Sequence, residues 1–327
     1  GQADLAESKL NRAVALDPRG FWAWFLLGIC HSDQHRQSDA VADFSVCTVI
    51  APEFPWPHLN RGLALARAGR LAEARAAYDR AIALNPDFNE ALVNRALTCL
   101  ELADNAQAAR DLDRALSLGS RSPALLATKG EALARLGRRA EAERDFEQAI
   151  AANTSDPLPL VARGMSRLDT DRAGADTDFA KAIALNPNLA RARLGRAYLL
   201  RRTDLRAALA EVNLALKAEP QFADALELRA LLQARLGIPE AEADIERLVQ
   251  APTARRLYNA ACTLAILSQK LPDRNYAPRA IEYLQRALDA GQPLATIADD
   301  PDLDGLRKLP EFTSLLSRHK ASPGTSD

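Results

Sequence analysis

The sequence predicts an all-α chain, and three observations carry that expectation. At 327 residues the chain is longer than one compact core usually serves, so it is either multidomain or built of repeats. Alanine and leucine are abundant, β-branched residues are few and there are only 15 glycines, a balance that favours helix. The chain also resembles itself: "AAYDRAIALNPDF" at 76–88 recurs as "TDFAKAIALNPNL" at 177–189 and more faintly as "SKLNRAVALDPRG" at 8–20.

The repeat period is about 34 residues, which allows the elements to be set out in order. Residues 1–20 supply only a second helix (helix B), with Ala6, Leu10, Ala13 and Pro18 in phase. Its first helix (helix A) is missing, so the sequence reads as a piece or processed form of a longer protein, with Gly1 a cloning residue. Seven repeats follow over residues 21–253, starting at 21, 55, 89, 123, 157, 190 and 223. The first carries Trp24, Leu27, Gly28, Ala40, Phe44 and Pro52; the second Gly62, Ala74, Tyr78, Ala81 and Pro86. The third offers Leu92, Ala96, Ala108, Leu112 and Ala115, and the fourth Leu126, Gly130, Ala142, Phe146 and Ala149. Repeats five and six each drop one residue in the inter-helix turn but keep Gly164, Ala175, Phe179, Ala182 and Pro187, then Ala197, Ala208, Val212, Ala215 and Pro220. Repeat seven is shorter, with Ala230, Ala241, Ile245 and Leu248.

A large residue at position 4, Gly or Ala at 8, Ala at 20 and 27, a bulky residue at 24 and Pro at 32 resemble the tetratricopeptide repeat. The small residues let the two helices of a hairpin approach closely, and the residues at 24 and 27 fill the seam. Proline ends helix B by pushing its predecessor out of the α region. The resemblance implies hairpins stacked into a right-handed superhelical solenoid, with a concave groove lined by the A helices.

Beyond residue 253 the rhythm changes. Residues 254–293 read as a divergent closing repeat, with helix A over 257–267 and helix B over 278–291, and residues 294–320 as a capping segment. "YNAAC" followed by "DPDLDGLRKLPEF" resembles the closing unit of bacterial tetratricopeptide arrays that often follow a serine/threonine kinase domain. The tail at 321–327, "ASPGTSD", reads as disordered.

Charge and cysteine usage exclude several classes. Lys plus Arg total 42 against 43 Asp plus Glu, which removes any overall electrostatic case for nucleic acid or an anionic membrane. The longest apolar run, 21–30, is half of what a bilayer-spanning helix needs. Cys30, Cys47, Cys99 and Cys262 lack CxxC spacing and read as reduced thiols of a cytoplasmic protein. No phosphate-binding glycine loop, kinase signature, GxSxG elbow or HExxH motif is present. No catalytic residue, cofactor or metal is therefore expected, and the chain reads as non-catalytic.

"CHSDQH" is the best metal candidate. In phase, however, His31 falls at the inward position 11 and His35 at position 15 in the turn, so their side chains should diverge. A second pattern is a row of bases at position 7: Arg61, Arg95, Lys129, Arg163, Arg196 and Arg229. Position 23 of the preceding repeat is acidic for five of them (Asp43, Asp111, Asp145, Asp178 and Glu211), and Ala77 breaks the series. This spacing predicts an ion-pair ladder between successive repeats, such as Asp145 to Arg163, rather than an anion-binding row.

Function in this architecture is expected at the inward positions of helix A, conventionally 2, 5, 6, 9, 12 and 13. The candidates for a peptide-binding groove are Trp22, Phe25, Ile29, Trp56, Leu59, Asn60, Leu63, Arg67, Val93, Asn94 and Leu97, with Leu26 beside them. Aromatic rings would anchor a ligand while the amides bind its backbone. Asn60, Asn94 and Asn259 match the family's peptide-holding asparagine at position 6, whereas Leu26, Thr128, Ala162, Gly195 and Leu228 do not. A continuous asparagine ladder is thus absent. The chaperone-type carboxylate clamp is also absent, because Phe25, Ile29, Ala124 and Thr128 stand at its charged or amide positions. Trp22 and Trp56 have a second reading, as packing for the missing helix A or an upstream domain. Arg191, Arg201 and Arg202 are candidate contacts for an acidic segment, or a solvated face.

The expectation is a non-catalytic protein- or peptide-binding scaffold, a recruitment region of a larger bacterial signalling protein such as a serine/threonine kinase. Its partners would be a peptide in the groove and the upstream domain of the same parent chain, with no nucleic acid and no membrane. The alternatives are an auxiliary domain that completes an enzyme's active site or binds its substrate, and the array of another multidomain effector.

Overall fold

The computed structural model describes residues 2–120 and 122–321, and every regular element among them is a helix. Gly1 and the expected tail beyond Ala321 lie outside the described residues. The chain forms two compact units, Gly1–Ser166 and Arg167–Asp327.

In the first unit, α1 (Gln2–Leu16) precedes four antiparallel hairpins. These are α2 (Phe21–Asp33) with α3 (Gln37–Ile50), α4 (Pro55–Arg67) with α5 (Leu71–Leu84), α6 (Asn89–Glu101) with α7 (Asn105–Ser117), and α8 (Pro123–Arg135) with α9 (Arg139–Ala152). Helix α10 (Leu158–Arg167) follows. The four hairpins span residues 21–152.

The packing follows the signature residues. Ala40, Phe44 and Cys47 of α3, and Ala74, Tyr78 and Ala81 of α5, are at most 1% exposed. A Cβ at Gly62 would lie 2.5 Å from Cε1 of Tyr78, so only glycine lets α4 and α5 close on that ring. Where position 24 is aliphatic, as at Leu112, the facing small residue is Ala96, and both are fully buried.

The turn between the helices has a fixed design that was not read from the sequence. Position 15 adopts a left-handed conformation in five repeats: His35, Gly69, Ala103, Gly137 and Gly237 have φ between 60° and 77°. The next residue then donates its N–H five residues back, Arg36 to His31 at 2.9 Å and Asp104 to Cys99 at 2.8 Å, closing a Schellman motif on helix A. The residue dropped from repeats five and six falls in this turn. There, Asp171 and Asp204 cap the next helix instead, accepting from Gly174 N at 2.9 Å and from Ala207 N at 2.9 Å.

The second unit begins with α11 (Arg172–Leu185), then pairs α12 (Ala190–Leu200) with α13 (Leu205–Ala218) and α14 (Ala223–Arg235) with the short α15 (Ala241–Leu248). Its last hairpin is α16 (Ala254–Lys270) with α17 (Ala277–Asp289). Helix α16 runs three residues beyond the expected end of helix A at 267, which shortens the loop to Leu271–Tyr276. The closing segment folds over this hairpin as α18 (Leu294–Ala298), a 3-10 turn (Pro301–Leu303) and α19 (Pro310–Ala321). Ile297, Leu303, Leu306, Phe312 and Leu315 are at most 2% exposed in one core with α16 and α17. Tyr258 fastens the turn, donating its hydroxyl to the Thr296 carbonyl at 3.1 Å and to the Asp300 carboxylate.

A candidate peptide-binding face on the A helices

The charged row is structural, but its register differs from the expected one. Asp111 does not reach forward to Lys129. It accepts two bonds of 2.7 Å from Arg95 of its own repeat and a third, of 2.8 Å, from Gln107. Asp145 likewise meets Lys129 at 3.2 Å, Glu211 meets Arg196 at 3.0 Å and Asp244 meets Arg229 at 2.6 Å. In these four hairpins position 23 therefore pairs with position 7 of its own repeat, Asp178 meets Arg167 at position 11 at 3.0 Å, and the expected Asp145 to Arg163 register is corrected by one repeat. The link between successive repeats comes from position 25: Asp79 reaches Arg95 at 2.7 Å and Asp113 reaches Lys129 at 2.6 Å. Burial alone would lower the pKa of Lys129, but Asp113 and Asp145 together hold it above the ordinary lysine value.

His31 belongs to this row. Repeat one has Leu27 at position 7, and His31, one turn later, replaces the missing base. It is 7% exposed, with Nδ1 2.6 Å from Asp43 and Nε2 3.5 Å from Glu7 of α1. Burial pushes the Asp43 carboxyl above its usual range, and His31 opposes that shift. His35 is exposed in the turn, so the two histidines diverge as expected. Among the described residues no group of three or more His, Cys, Asp or Glu is placed to hold a metal ion. Cys47, Cys99 and Cys262 are buried free thiols; desolvation pushes Cys47 up to about 12 and Cys99 up to about 11.

With these groups assigned to packing, the inward positions of the first unit remain. Trp22 is 64% exposed, Leu26 48%, Trp56 43% and Leu97 43%, an open apolar series on three successive A helices. Trp22 stands edge-on to Phe21 and Phe25 at 5.1 and 5.9 Å, and Trp56 rests on buried Phe88 at 4.9 Å. Each ring is thus held by a neighbour and still presents surface. Phe25, Ile29, Leu63 and Val93 are half-buried beside them, whereas Leu59 is 3% exposed and serves the core. Trp24 donates Nε1–H to the Pro18 carbonyl at 3.0 Å, anchoring the link from α1 to α2.

Asn60 and Asn94 each spend one amide hydrogen on their own helix, at Trp56 O (2.9 Å) and Glu90 O (2.7 Å). Each amide keeps a carbonyl oxygen and a second N–H in its bonding repertoire. Arg67 bridges α4 to α2 through Ser32 Oγ at 2.8 Å.

In the second unit Arg201 lies over the Tyr198 ring at 5.1 Å, while Arg191 and Arg202 are exposed. Asn259 donates to Glu227 at 3.0 Å, and Arg255 lies 3.6 Å from the same carboxylate. Burial, with Asp224 and Glu227 nearby, pushes the Tyr198 phenol above its ordinary value. Tyr198 and Glu227 stand at inward positions 9 and 5 and were not among the expected candidates.

Comparison with known proteins agrees with this geometry. Tetratricopeptide-repeat family models match residues 55–88 and 99–157. Within those residues the chain is similar to the tetratricopeptide repeat, and its paired antiparallel helices match the tetratricopeptide-type solenoid fold. No curated protein matches it in sequence. Among solved structures, a tetratricopeptide repeat protein from Parabacteroides merdae is similar at 20% identity and TM-score 0.51, over 80% of this chain and 97% of that one. Yeast Tom70 is similar at 17% identity and TM-score 0.57, over 92% of this chain and 61% of that one. The human IFIT1 dimer with m7Gppp-AAAA is similar at 16% identity and TM-score 0.59, over 88% and 73%. At these identities the likeness is one of fold. The tetratricopeptide fold is a protein- and peptide-binding scaffold and characteristically non-catalytic. Among the described residues no helix is long and apolar enough to cross a membrane.

Proposed function

We propose that this protein binds an extended or helical peptide across the A helices of its first three repeats. Trp22, Phe25, Ile29, Trp56, Leu63, Val93 and Leu97 would supply apolar contact, and Asn60, Asn94 and Arg67 would hold the ligand's polar groups. The carrying observation is the exposure of Trp22, Leu26, Trp56 and Leu97 at inward positions in successive repeats. An apolar series of this kind on a rigid frame marks a partner surface. Peptides selected from a random display library against the whole chain should lose about 30-fold or more in affinity on combined Trp22→Ala and Trp56→Ala substitution. Unchanged affinity in the folded double variant would refute this reading.

In the second unit Arg191, Arg201 and Arg202 form a secondary contact for an acidic stretch, supported by the stacking of Arg201 on Tyr198. In its cellular setting we read the protein as a recruitment region of a larger bacterial signalling protein such as a serine/threonine kinase, acting in the cytoplasm. That reading rests on the closing segment from Tyr258 to Phe312 and on the cysteine usage. The adjoining domain of such a parent would be a further partner.

A further inference from the structure

The inward face of the second unit carries a surplus of arginine. Arg193 and Arg196 of α12 both meet Glu211, at 2.9 and 3.0 Å. Arg191, Arg201 and Arg202, at positions 2, 12 and 13 of the same repeat, enter no ion pair among the described residues. Arg255, at position 2 of the last hairpin, lies 3.9 Å from Asp224 and 3.6 Å from Glu227, too far for a hydrogen bond to either. Glu227 is engaged instead by Asn259 at 3.0 Å. The arginines outnumber the carboxylates beside them, so this face attracts anions. Tyr198 stands among them, half-buried, with Arg201 over its ring and with Asp224, Glu227 and Arg255 close enough to act on its phenol.

The chain itself shows how such a face takes an acidic segment. Asp300 and Asp302 of the closing segment lie against inward residues of the last two A helices. The Tyr258 hydroxyl, at position 5 of α16, donates to the Asp300 carboxylate, and Cys262 Sγ, at position 9, lies 3.7 Å from it. Arg235, at position 13 of α14, donates to Asp302 at 3.4 Å. The Asp302 N–H donates in turn to the Asp300 carboxylate at 2.8 Å, which fixes the spacing of the two side chains. Leu303 is fully buried and fastens this segment to the cap. Two carboxylates two residues apart are thus held by one tyrosine and one arginine. Tyr198 and Arg201 are a second tyrosine–arginine pair at inward positions, with Arg255 beside them.

We infer, building on the arginine contact proposed above, that this face binds a partner's acidic segment in which two carboxylates stand two residues apart, as Asp300 and Asp302 do. One carboxylate accepts from the Tyr198 hydroxyl and Arg255 and the other from Arg201, while Arg191 and Arg202 meet acidic residues that flank the pair. The ring of Tyr198 keeps the Arg201 guanidinium in position.

The test uses the whole chain and two fluorescent peptides of one composition, both with blocked ends so that no terminal carboxylate takes part. One carries two aspartates on either side of a single proline; in the other the two aspartates are separated by several residues. The first should bind on the order of tenfold tighter at low salt. Tyr198→Phe keeps the ring beneath Arg201 and removes only the hydroxyl. It should weaken the first peptide about fivefold and leave the second unchanged. Arg201→Gln should weaken both peptides and remove the preference. Trp22→Ala with Trp56→Ala should change neither, which keeps this site apart from the face of the first unit. Equal binding of the two peptides, with both weakened by Arg201→Gln, would overturn the paired-carboxylate site and leave the general arginine contact standing. An equal effect of Tyr198→Phe on the two peptides would overturn the site as well. Absence of saturable binding by either peptide would overturn both the site and the arginine contact.

Discussion

Replacing Asp111 by alanine removes a carboxylate that is only 4% exposed and accepts three hydrogen bonds, two from Arg95 and one from Gln107. Arg95, at 14% exposure, then keeps only the solvent-facing Asp79. Removing one member of a buried ion pair costs about 3–5 kcal/mol. The surviving contact with Asp79 reduces this to about 2–3 kcal/mol. Asp113→Ala, at a carboxylate 67% exposed, should cost no more than about 1 kcal/mol. Urea unfolding of both variants, with amide exchange to localise the loss to α6 and α7, measures the difference. Double-mutant cycles test the register: coupling of Asp111 with Arg95 should be about 1.5–3 kcal/mol, and of Asp111 with Lys129 near zero. Equal costs for Asp111→Ala and Asp113→Ala, or coupling to Lys129 instead, would refute the within-hairpin assignment.

Further outcomes follow from the same structure. Ala103→Gly should stabilise the third hairpin by about 1 kcal/mol in chemical unfolding, because Ala103 holds a left-handed φ of 61° that glycine adopts without strain. Gly62→Ala should cost about 1–3 kcal/mol, since the new Cβ would meet the Tyr78 ring. Thiol alkylation at pH 8 should label half-buried Cys30 first, with Cys47, pushed up to about 12, and Cys99, pushed up to about 11, reacting only on unfolding. Glu7 has its pKa lowered in the folded state, chiefly by its bond with Arg36. Its contribution is therefore present above the ordinary glutamate value of about 4.3 and is lost as pH falls through the lower folded value. Exchange protection of α1 should weaken in that acidic window, and Glu7→Gln should remove this pH dependence.

The hairpins were legible because their residues answer one steric demand: a small side chain at positions 8 and 20 wherever two helices cross. The ion-pair register was not, because a base lies 15 or 16 residues before and 18 residues after Asp111, Asp145, Asp178 and Glu211, and spacing alone does not choose between them. Asp244 held the deciding signal, and Asp43 an opposing one, since Leu27 stands at position 7 of its own repeat and Arg61 at that of the next. Asp244 has Arg229 in its own repeat but Ala260 at position 7 of the following unit. Asp43 has only His31 as a base in its own helix A. The left-handed turn was also hidden, because His35 and Ala103 take a conformation that glycine marks at positions 69 and 137. Of the groove candidates, Leu59 proved to be core because position 5 of α4 faces the hairpin seam closely enough to lose its surface.

The claim that the A-helix face of the first unit holds a peptide is tested most directly by hydroxyl-radical footprinting of the complex with a selected peptide. Trp22, Leu26, Trp56 and Leu97 should be protected together, while Val49, 80% exposed on α3, should oxidise as fast as in the free protein. Protection of Val49, with the four inward residues still reactive, would place the ligand elsewhere and contradict the account.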